Sequence, residues 1–490
     1  MASQDKNKPE EKSIGITVKK EEDIAEWYSQ VVLKSELADY APVKGCMIIR
    51  PYGYAIWQNI MDYFNGVMKK LGVQNAYFPL FIPESFFKKE AKHAEGFTPE
   101  VAWISTPDES GERLAVRPTS ETIMYDSYSK WIRSYRDLPL RLNQWCNVVR
   151  WETNAVKMFL RSREFLWQEG HCVYETEEQC EIETKLVLKE YRRLAEDILA
   201  MPVLAGRKTE KEKFAGAKST YTIEAFMPDG KAVQSGTSHN LGQGFAEAFG
   251  ISYLGRDEKK HTPWQNSWGI STRMIGGMVL LHSDDKGLVL PPVIAPVKAV
   301  IVPILIGDTK EKVLDKCQQI KTKLYKEFNF DIKIDDREDY SPGWKFNEWE
   351  LKGVPLRIEI GPKDIDKKQV VMVRRDTGDK EFVPEDKLLA KTKDLLELIQ
   401  ENLFKRAKKR IDDSIVEVKT WDEFMDAAKQ RKLIKTTFCG SPDCEEKIKS
   451  ESGGVSSRCM ILDEEKAPAG SVCVKCGKPA DYLVYFSKSY

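Results

Sequence analysis

Apolar residues recur along this chain with two different periods, and the places where the period changes mark its elements. Near the start, Ile24, Tyr28 and Val31 fall on one side of an amphipathic helix expected from about Glu21. Trp57, Ile60, Phe64, Val67 and Leu71 step by three and four residues, one stripe of a second helix, and Gly72 supplies its stop. The run Ala76–Phe81 reads as a strand but contains Pro79, which cannot donate to a ladder, so it belongs at an edge or an interface. From about residue 142 short β-like runs follow, Trp145–Trp151 and Phe165–Trp167 among them. They are interrupted by a helix on which Val187, Tyr191, Leu194 and Ile198 again step by four and three. Strand-rich stretches around isolated helices imply a mainly antiparallel sheet, not a regular βαβ series.

The pattern changes after Gly287–Pro296, a stretch with three prolines that reads as a linker. Beyond it come an apolar strand at Val297–Ile306, a charged helix at Lys310–Phe328, and strands at Phe330–Ile334 and Leu356–Ile360, the alternation of a small α/β domain. A last segment from about Arg410 holds five of the ten cysteines. Residues 1–13 are polar and aperiodic and are expected to be disordered. The expectation is a multidomain α/β (α+β) chain without internal repeats.

Composition narrows this further. Hydrophobic residues make up 41% and charged residues 31% of 490, the balance of a globular protein with ample core. Lys+Arg and Asp+Glu are equal at 76 each, which argues against non-specific coating of nucleic acid; no DNA partner is expected, although a local basic face remains open. No apolar run approaches the ~18 residues of a membrane span, and the first residues lack a secretory h-region. Ten cysteines in such a chain read as thiols or metal ligands, not a disulfide framework. A cytoplasmic enzyme is expected.

Two constellations carry the chemistry. In the first, Arg150 and Glu152 stand two apart, on one face of a strand, followed by Arg161-Ser162-Arg163-Glu164-Phe165. Alone, Arg-x-Glu is most often a solvated ion pair. With the second arginine cluster and an aromatic it offers what a nucleoside triphosphate needs, charge for the phosphates and a plane for the base. The second is Gly269-Ile270-Ser271-Thr272-Arg273-Met274-Ile275-Gly276, weak by itself and compatible with helix packing. Neither GxxxxGK[ST] nor GxGxxG after a strand occurs, so a P-loop or Rossmann account of nucleotide binding has no support.

These segments resemble motifs 2 and 3 of the class II aminoacyl-tRNA synthetases, and Phe78-Pro79 resembles motif 1, their dimer-interface element. RPTSE (Arg117–Glu121), REFLWQEGH (Arg163–His171), GTSHNLGQ (Gly236–Gln243), SPGWKFNEWELKGVPLRIEIGP (Ser341–Pro362) and the tyrosine-ended C-terminus further resemble the prolyl-tRNA synthetases of eukaryotic and archaeal type. The likeness runs from about residue 17 to Tyr490. It implies a catalytic domain at 17–296 with an antiparallel sheet, an anticodon-binding domain at 297–409, and a zinc-binding-like α+β domain at 410–490, after a tail at 1–16.

The resemblance also implies an activity: L-proline reacts with ATP to give prolyl-adenylate and pyrophosphate, and proline then passes to the 3′ end of tRNA(Pro). Arg150 would contact the α-phosphate and the proline carboxylate, and Glu152 the adenine amino group. Arg161, with Ser162, would hold the outer phosphates; Phe165 and Arg273 would sandwich adenine, with Ser271 beside them. Gln234 and Thr237 would contact ATP near Mg²⁺. Thr119, Glu121 and His239 would receive the proline ring nitrogen, with Trp167, Glu169 and His171 lining the pocket. Prolinium is a small apolar ring with one secondary ammonium, so a carboxylate and an aromatic wall suit it. A histidine here can equally be a satisfied core residue. The mechanism calls for no nucleophile or general base, only positioning and charge neutralisation by groups such as Arg150 and Arg273.

Cys439 and Cys444, with four residues between them, and Cys473 and Cys476, with two, can make a tetrahedral structural Zn²⁺ site; unliganded thiols are the alternative. Asp335-Asp336-Arg337-Glu338, Lys345, Glu350, Lys352 and Arg374-Arg375 are candidates for anticodon contacts or merely solvated charge. The stretch from Phe165 to Gly269 is already filled by a helix and strand-like runs, so no inserted editing domain is expected. The helical stripe Trp57–Leu71 and the proline-broken strand suit an isologous homodimer interface. Two other readings stay open: another class IIa synthetase, such as the threonyl or histidyl enzyme, and a non-catalytic tRNA-binding paralogue. Arg150, Arg161 and Arg273, all present, weigh against the paralogue.

Overall fold

The structure is a computed structural model and describes residues 15–91, 101–151, 156–462 and 464–490. Among these the chain forms two compact units. One holds the described residues up to Asp39, Ile49–Ile56 and His282–Leu403; the other holds Tyr40–Ile48, Trp57–Leu281 and Phe404–Tyr490.

The larger unit is built on one eleven-stranded sheet. From one edge the order is Ile415–Glu417, Leu433–Phe438, Tyr482–Ser489, Ser456–Ile461, Leu204–Arg207, Ser219–Phe226, Lys231–Gly242, Trp264–Ser271, Glu164–Tyr174, Leu140–Val149 and Gln74–Asn75. The central ladders are antiparallel, as the scattered short β-runs imply. The strand Glu164–Tyr174 is longer than the sequence suggests, because its cavity-facing Glu169 and His171 blur the apolar signal. The expected strand Ala76–Phe81 does not form as one piece. Gln74–Asn75 pairs in parallel with Leu140–Val149 at the sheet edge, Pro79 interrupts, and Phe81–Pro83 joins a separate two-stranded sheet.

The long helix Pro51–Lys70 ends before Gly72, whose φ of +69° is the left-handed stop expected of it. Its stripe is spent within the chain. Trp57 lies edge-on to Trp145 at 5.5 Å, Phe64 stacks on Tyr191 at 5.1 Å, and Ile60 is fully buried. Core packing therefore takes Trp57, Ile60 and Phe64 out of reach of a partner, while Val67 and Leu71 of the same stripe are only half-buried. Tyr191 sits on the helix Glu177–Arg193, whose last turn, Leu194–Ile198, widens to a π-helix.

The smaller unit carries a five-stranded sheet in the order Ile332–Ile334, Ala299–Pro303, Leu356–Ile360, Gln369–Arg374, Lys380–Pro384. The first three strands are parallel, and Lys310–Phe328 packs Val313, Cys317, Ile320 and Leu324 onto them. Helix Ile24–Lys34 also belongs here, starting after Asp23, whose carboxylate accepts from the amides of Ala25 and Glu26. The proline-rich stretch after Gly287 has neither helix nor strand, yet Leu288, Val289 and Leu290 are buried, so it is a packed connection. No helix among the described residues is long and apolar enough to cross a membrane.

Candidate active site

The central strands of the larger unit form the floor of a cavity of about 270 Å³. Strand alternation explains which side chains enter it. Phe165, Trp167, Glu169 and His171 share one face of Glu164–Tyr174, and Ser267, Gly269 and Ser271 share the matching face of the neighbouring strand. On Lys231–Gly242, Gln234 and Thr237 stand three apart and would point to opposite faces of a regular strand. A register shift between Gln234 and Gly236 inserts the extra residue that brings both to the cavity, along with His239.

At one end the polar groups converge. Glu169 is 2% exposed and accepts from the Ser120 amide at 3.3 Å, the Gln144 amide nitrogen at 3.0 Å and the Ser120 hydroxyl. His171 Nε2 lies 3.0 Å from the same carboxylate, while its Nδ1 faces the Tyr125 hydroxyl at 3.2 Å. Burial opposes ionisation of both groups, and their mutual hydrogen bond reverses it: the Glu169 carboxyl is held below its usual range, and His171 is raised. Both shifts favour the charged form of each partner. Glu121, also buried, accepts from the Thr119 hydroxyl. Glu121 and His171 are close enough for the Glu121 charge to help raise the imidazole. His239 differs: burial, then the charges of His171 and Lys208, depress it to about 3, so it is a neutral imidazole with Nδ1 2.9 Å from the Thr220 hydroxyl.

Arg150 lies just past the end of the strand Leu140–Val149, not within it, so the expected same-strand pairing with Glu152 does not describe its position. Glu152 lies outside the described residues. The Arg150 guanidinium is 5.7 Å from the Phe165 ring and 5.6 Å from the Trp167 ring, and its Nε donates to the Pro118 carbonyl at 3.3 Å. Arg273 opens the helix Arg273–His282, and its Nε donates to the Leu160 carbonyl at 2.9 Å. A smaller recess is lined by Arg161 and Ser162 together with Arg150, Phe165, Ser271 and Arg273, which also line the main cavity. The structure therefore gathers Thr119, Glu121, Arg150, Arg161, Ser162, Phe165, Trp167, Glu169, His171, Gln234, Thr237, His239, Ser271 and Arg273 into one continuous site. The segment Lys208, Glu212, Phe214 and Thr220 also lines it. Sequence reading passed over these four, because no periodicity or motif separates them from an ordinary loop.

Arg117, the first residue of RPTSE, plays another part. It is 1% exposed and donates to the Phe78 carbonyl at 2.7 Å and the Asn147 carbonyl at 2.8 Å, tying two segments of chain beneath the cavity.

The sulfur atoms of Cys439, Cys444, Cys473 and Cys476 all lie within 4.8 Å of one another, Cys444–Cys473 at 3.8 Å and Cys439–Cys476 at 3.7 Å. A tetrahedral ion with Zn–S bonds of about 2.3 Å requires sulfurs about 3.8 Å apart, so the cluster fits Zn²⁺. Cys459 is buried elsewhere, on the strand Ser456–Ile461. Of the candidate anticodon charges in the smaller unit, several are internal. Lys345 is 2% exposed and donates to the Asp335 carbonyl, Arg375 pairs with Asp284, and Arg374 with Asp376. Asp336, Arg337 and Glu338 remain on the surface.

Comparison with known proteins gives a consistent result. Residues 100–281 match the tRNA synthetase class II core domain (G, H, P, S and T), residues 298–395 the anticodon binding domain, and residues 421–490 the C-terminal domain of prolyl-tRNA synthetase. A proline–tRNA ligase of Alkaliphilus oremlandii is 52% identical over 473 residues, covering 96% of this chain and 97% of that protein. Proline–tRNA ligase 2 of Clostridioides difficile is 48% identical over 486 residues, 99% of this chain and 100% of that protein. The crystal structure of prolyl-tRNA synthetase from Cryptosporidium parvum, in complex with halofuginone and AMPPNP, superposes with a TM-score of 0.92 at 43% identity, covering 97% of each chain.

Proposed function

The chain belongs to the prolyl-tRNA synthetases of class II, and from that premise we propose how its own residues divide the work. The family reaction joins proline to ATP, releasing pyrophosphate, and then passes the prolyl group to tRNA(Pro). A length of 490 residues is consistent with the absence of a large inserted editing domain.

The observation that carries the assignment of roles is that Arg150, one of four residues lining both the main cavity and the smaller recess, also stands 5.6 Å from the Trp167 ring. The end with Glu121, Glu169, His171 and Trp167 suits prolinium: Glu121 meets the ring ammonium, Thr119 orients that carboxylate, and Trp167 walls the apolar ring. The Glu169–His171 pair holds the floor, and neutral His239 adds no competing positive charge beside the ammonium. The recess with Arg161, Ser162, Phe165, Ser271 and Arg273 suits the nucleotide, phosphates toward the guanidiniums and adenine against Phe165. Glu152 keeps its proposed contact with adenine. Arg150 then stands where the proline carboxylate meets the α-phosphate, and its charge can offset the negative charge that grows as the carboxylate attacks phosphorus. The terminal adenosine hydroxyl of the tRNA next attacks the prolyl carbonyl and releases AMP.

Mg²⁺ carried on the triphosphate would supply further neutralisation. Gln234 and Thr237 are neutral oxygen donors, suited to complete a shell of phosphate and water oxygens but not to hold the ion alone. Zn²⁺ would be held by Cys439, Cys444, Cys473 and Cys476; four thiolates leave no open position, so its role is structural. The division into a tail at 1–16, a catalytic domain at 17–296, an anticodon-binding domain at 297–409 and a C-terminal domain at 410–490 is part of the same reading. So are a cytoplasmic location, which the ten unpaired cysteines support, and a homodimer. The dimer face is moved to Tyr77, Phe81 and Trp131, large apolar side chains left 72%, 47% and 51% exposed.

The test is ATP–pyrophosphate exchange with each of the twenty amino acids. Proline is expected to stimulate exchange above all others, and its failure to do so would overturn the reading.

A further inference from the structure

The cavity wall formed by Lys208, Glu212 and Phe214 is fastened from behind by the C-terminal segment. Strand Leu204–Arg207 pairs on one side with Ser219–Phe226 and on the other with Ser456–Ile461. The approach is so close at Gly206 that a Cβ there would stand 2.3 Å from the Met460 carbonyl oxygen. The chain then leaves the strand as a strap, and three fastenings follow in register. Lys208, 4% exposed, donates to Glu224 at 2.6 Å, and the other oxygen of Glu224 lies 4.0 Å from the Arg458 guanidinium. Among the described residues that oxygen has no hydrogen-bond partner, and Arg458 supplies a nearby positive charge. The Thr209 hydroxyl stands 3.2 Å from the Ser457 hydroxyl, which donates to the buried carboxyl of Glu445. Lys211 pairs with Glu446.

On its inner side the same strap meets the cavity. The Thr209 hydroxyl accepts from the Glu212 amide at 3.4 Å, and the Phe214 amide donates at 2.9 Å to Thr220, the hydroxyl that also faces His239. The Phe214 ring lies 4.8 Å from the His239 ring. A displacement of the strap would therefore move Phe214 against His239, whereas no residue of the strap lines the recess of Arg161 and Ser162.

We propose that Arg458, acting through Glu224 and Lys208, and Ser457, acting through Thr209, are positioning residues for the amino-acid pocket, so that the C-terminal domain sets the affinity for the amino acid and not for ATP. The inference rests on the reading of that end of the cavity as the proline pocket. A side chain that is 5% exposed and one that is fully buried, neither reaching the cavity, are otherwise hard to connect with substrate.

The test uses the full-length chain carrying Arg458→Met, Arg458→Lys, Ser457→Ala or Ser457→Thr, with exchange kinetics measured separately in proline and in ATP. For Ser457→Ala, which removes the hydroxyl facing Thr209, and Arg458→Met, which removes the charge facing Glu224, the KM for proline is expected to rise about tenfold, with the KM for ATP and kcat within about twofold of the parent. Arg458→Lys and Ser457→Thr are expected to restore it. An unchanged KM for proline in the folded variants overturns the proposal. So does a parallel loss in all three parameters with a lowered melting temperature, the mark of a merely structural role. If Arg458→Met does not fold, the serine pair decides. Failure of the parent itself to use proline would instead sink the reading of the pocket, an outcome separate from these.

Discussion

Replacing Glu121 by glutamine tests the pocket most directly. The change is nearly isosteric and removes one charge from a side chain that is 5% exposed, leaving a carbonyl that can still accept from the Thr119 hydroxyl. Because Glu169 is already hydrogen-bonded to His171, Glu121 is the pocket carboxyl proposed to meet a bound ammonium. A hydrogen bond to a charged partner contributes about 1.5–3 kcal/mol, which corresponds to roughly 10- to 150-fold in affinity. The KM for proline in pyrophosphate exchange should rise by that factor, while the KM for ATP, bound at the other end of the site, stays constant. Glu121 is also the first residue of the helix Glu121–Trp131, where a negative charge favours the helix dipole, so a stability loss of ~0.3–1 kcal/mol is expected alongside. That loss is too small to unfold the protein, and a melting curve separates the two effects. A KM for proline within twofold of the parent would refute the placing of the ammonium at Glu121.

Arg150→Ala should lower the exchange rate by about 10²–10³ with circular dichroism unchanged, as loss of a group that stabilises developing charge requires; near-parental exchange would contradict its central role. Metal analysis should find about one zinc per chain, and chelation should lower the melting temperature without shifting the KM for ATP; metal-free protein of equal stability would exclude the site. The Glu169–His171 pair predicts a pH dependence. Since His171 is raised on folding, its contribution is complete below the ordinary imidazole value of 6.5 and is lost as pH rises through the folded value; since Glu169 is lowered, its contribution is complete above 4.5 and is lost as pH falls through the folded value. Glu169→Gln should therefore flatten the alkaline fall in melting temperature, and an unaltered profile would deny the pairing. Sedimentation at micromolar concentration should show a dimer that Tyr77→Lys dissociates, and a monomeric parent would dispose of the proposed face.

Much of this protein was legible in its sequence, because several of its constraints are local. The stripe from Trp57 to Leu71, the stop at Gly72, the helix Lys310–Phe328 and the strand Leu356–Ile360 follow from periodicity and backbone preference, and the structure forms them where the pattern places them. The short run Phe165–Trp167 is likewise read as strand, and the structure extends it through Glu169 and His171 to Tyr174. Cysteine spacing brings together four sulfurs that a single ion can hold.

What the tertiary structure decided is everything that depends on what packs against those elements. Periodicity shows that the Trp57 stripe must be covered but not by what, and Trp145 and Tyr191 of the same chain cover it. The bulge before Gly236, which turns Gln234 to the same face as Thr237, has no marker in one strand read alone, because register belongs to a pair of strands. The strap from Lys208 to Phe214 looks like a charged loop until Ser456–Ile461, some 250 residues later, pairs with Leu204–Arg207 and presses it onto the cavity. The charge state of His171, and the neutrality of His239 nearby, likewise arise from burial and from neighbours brought together by folding, which no local pattern encodes.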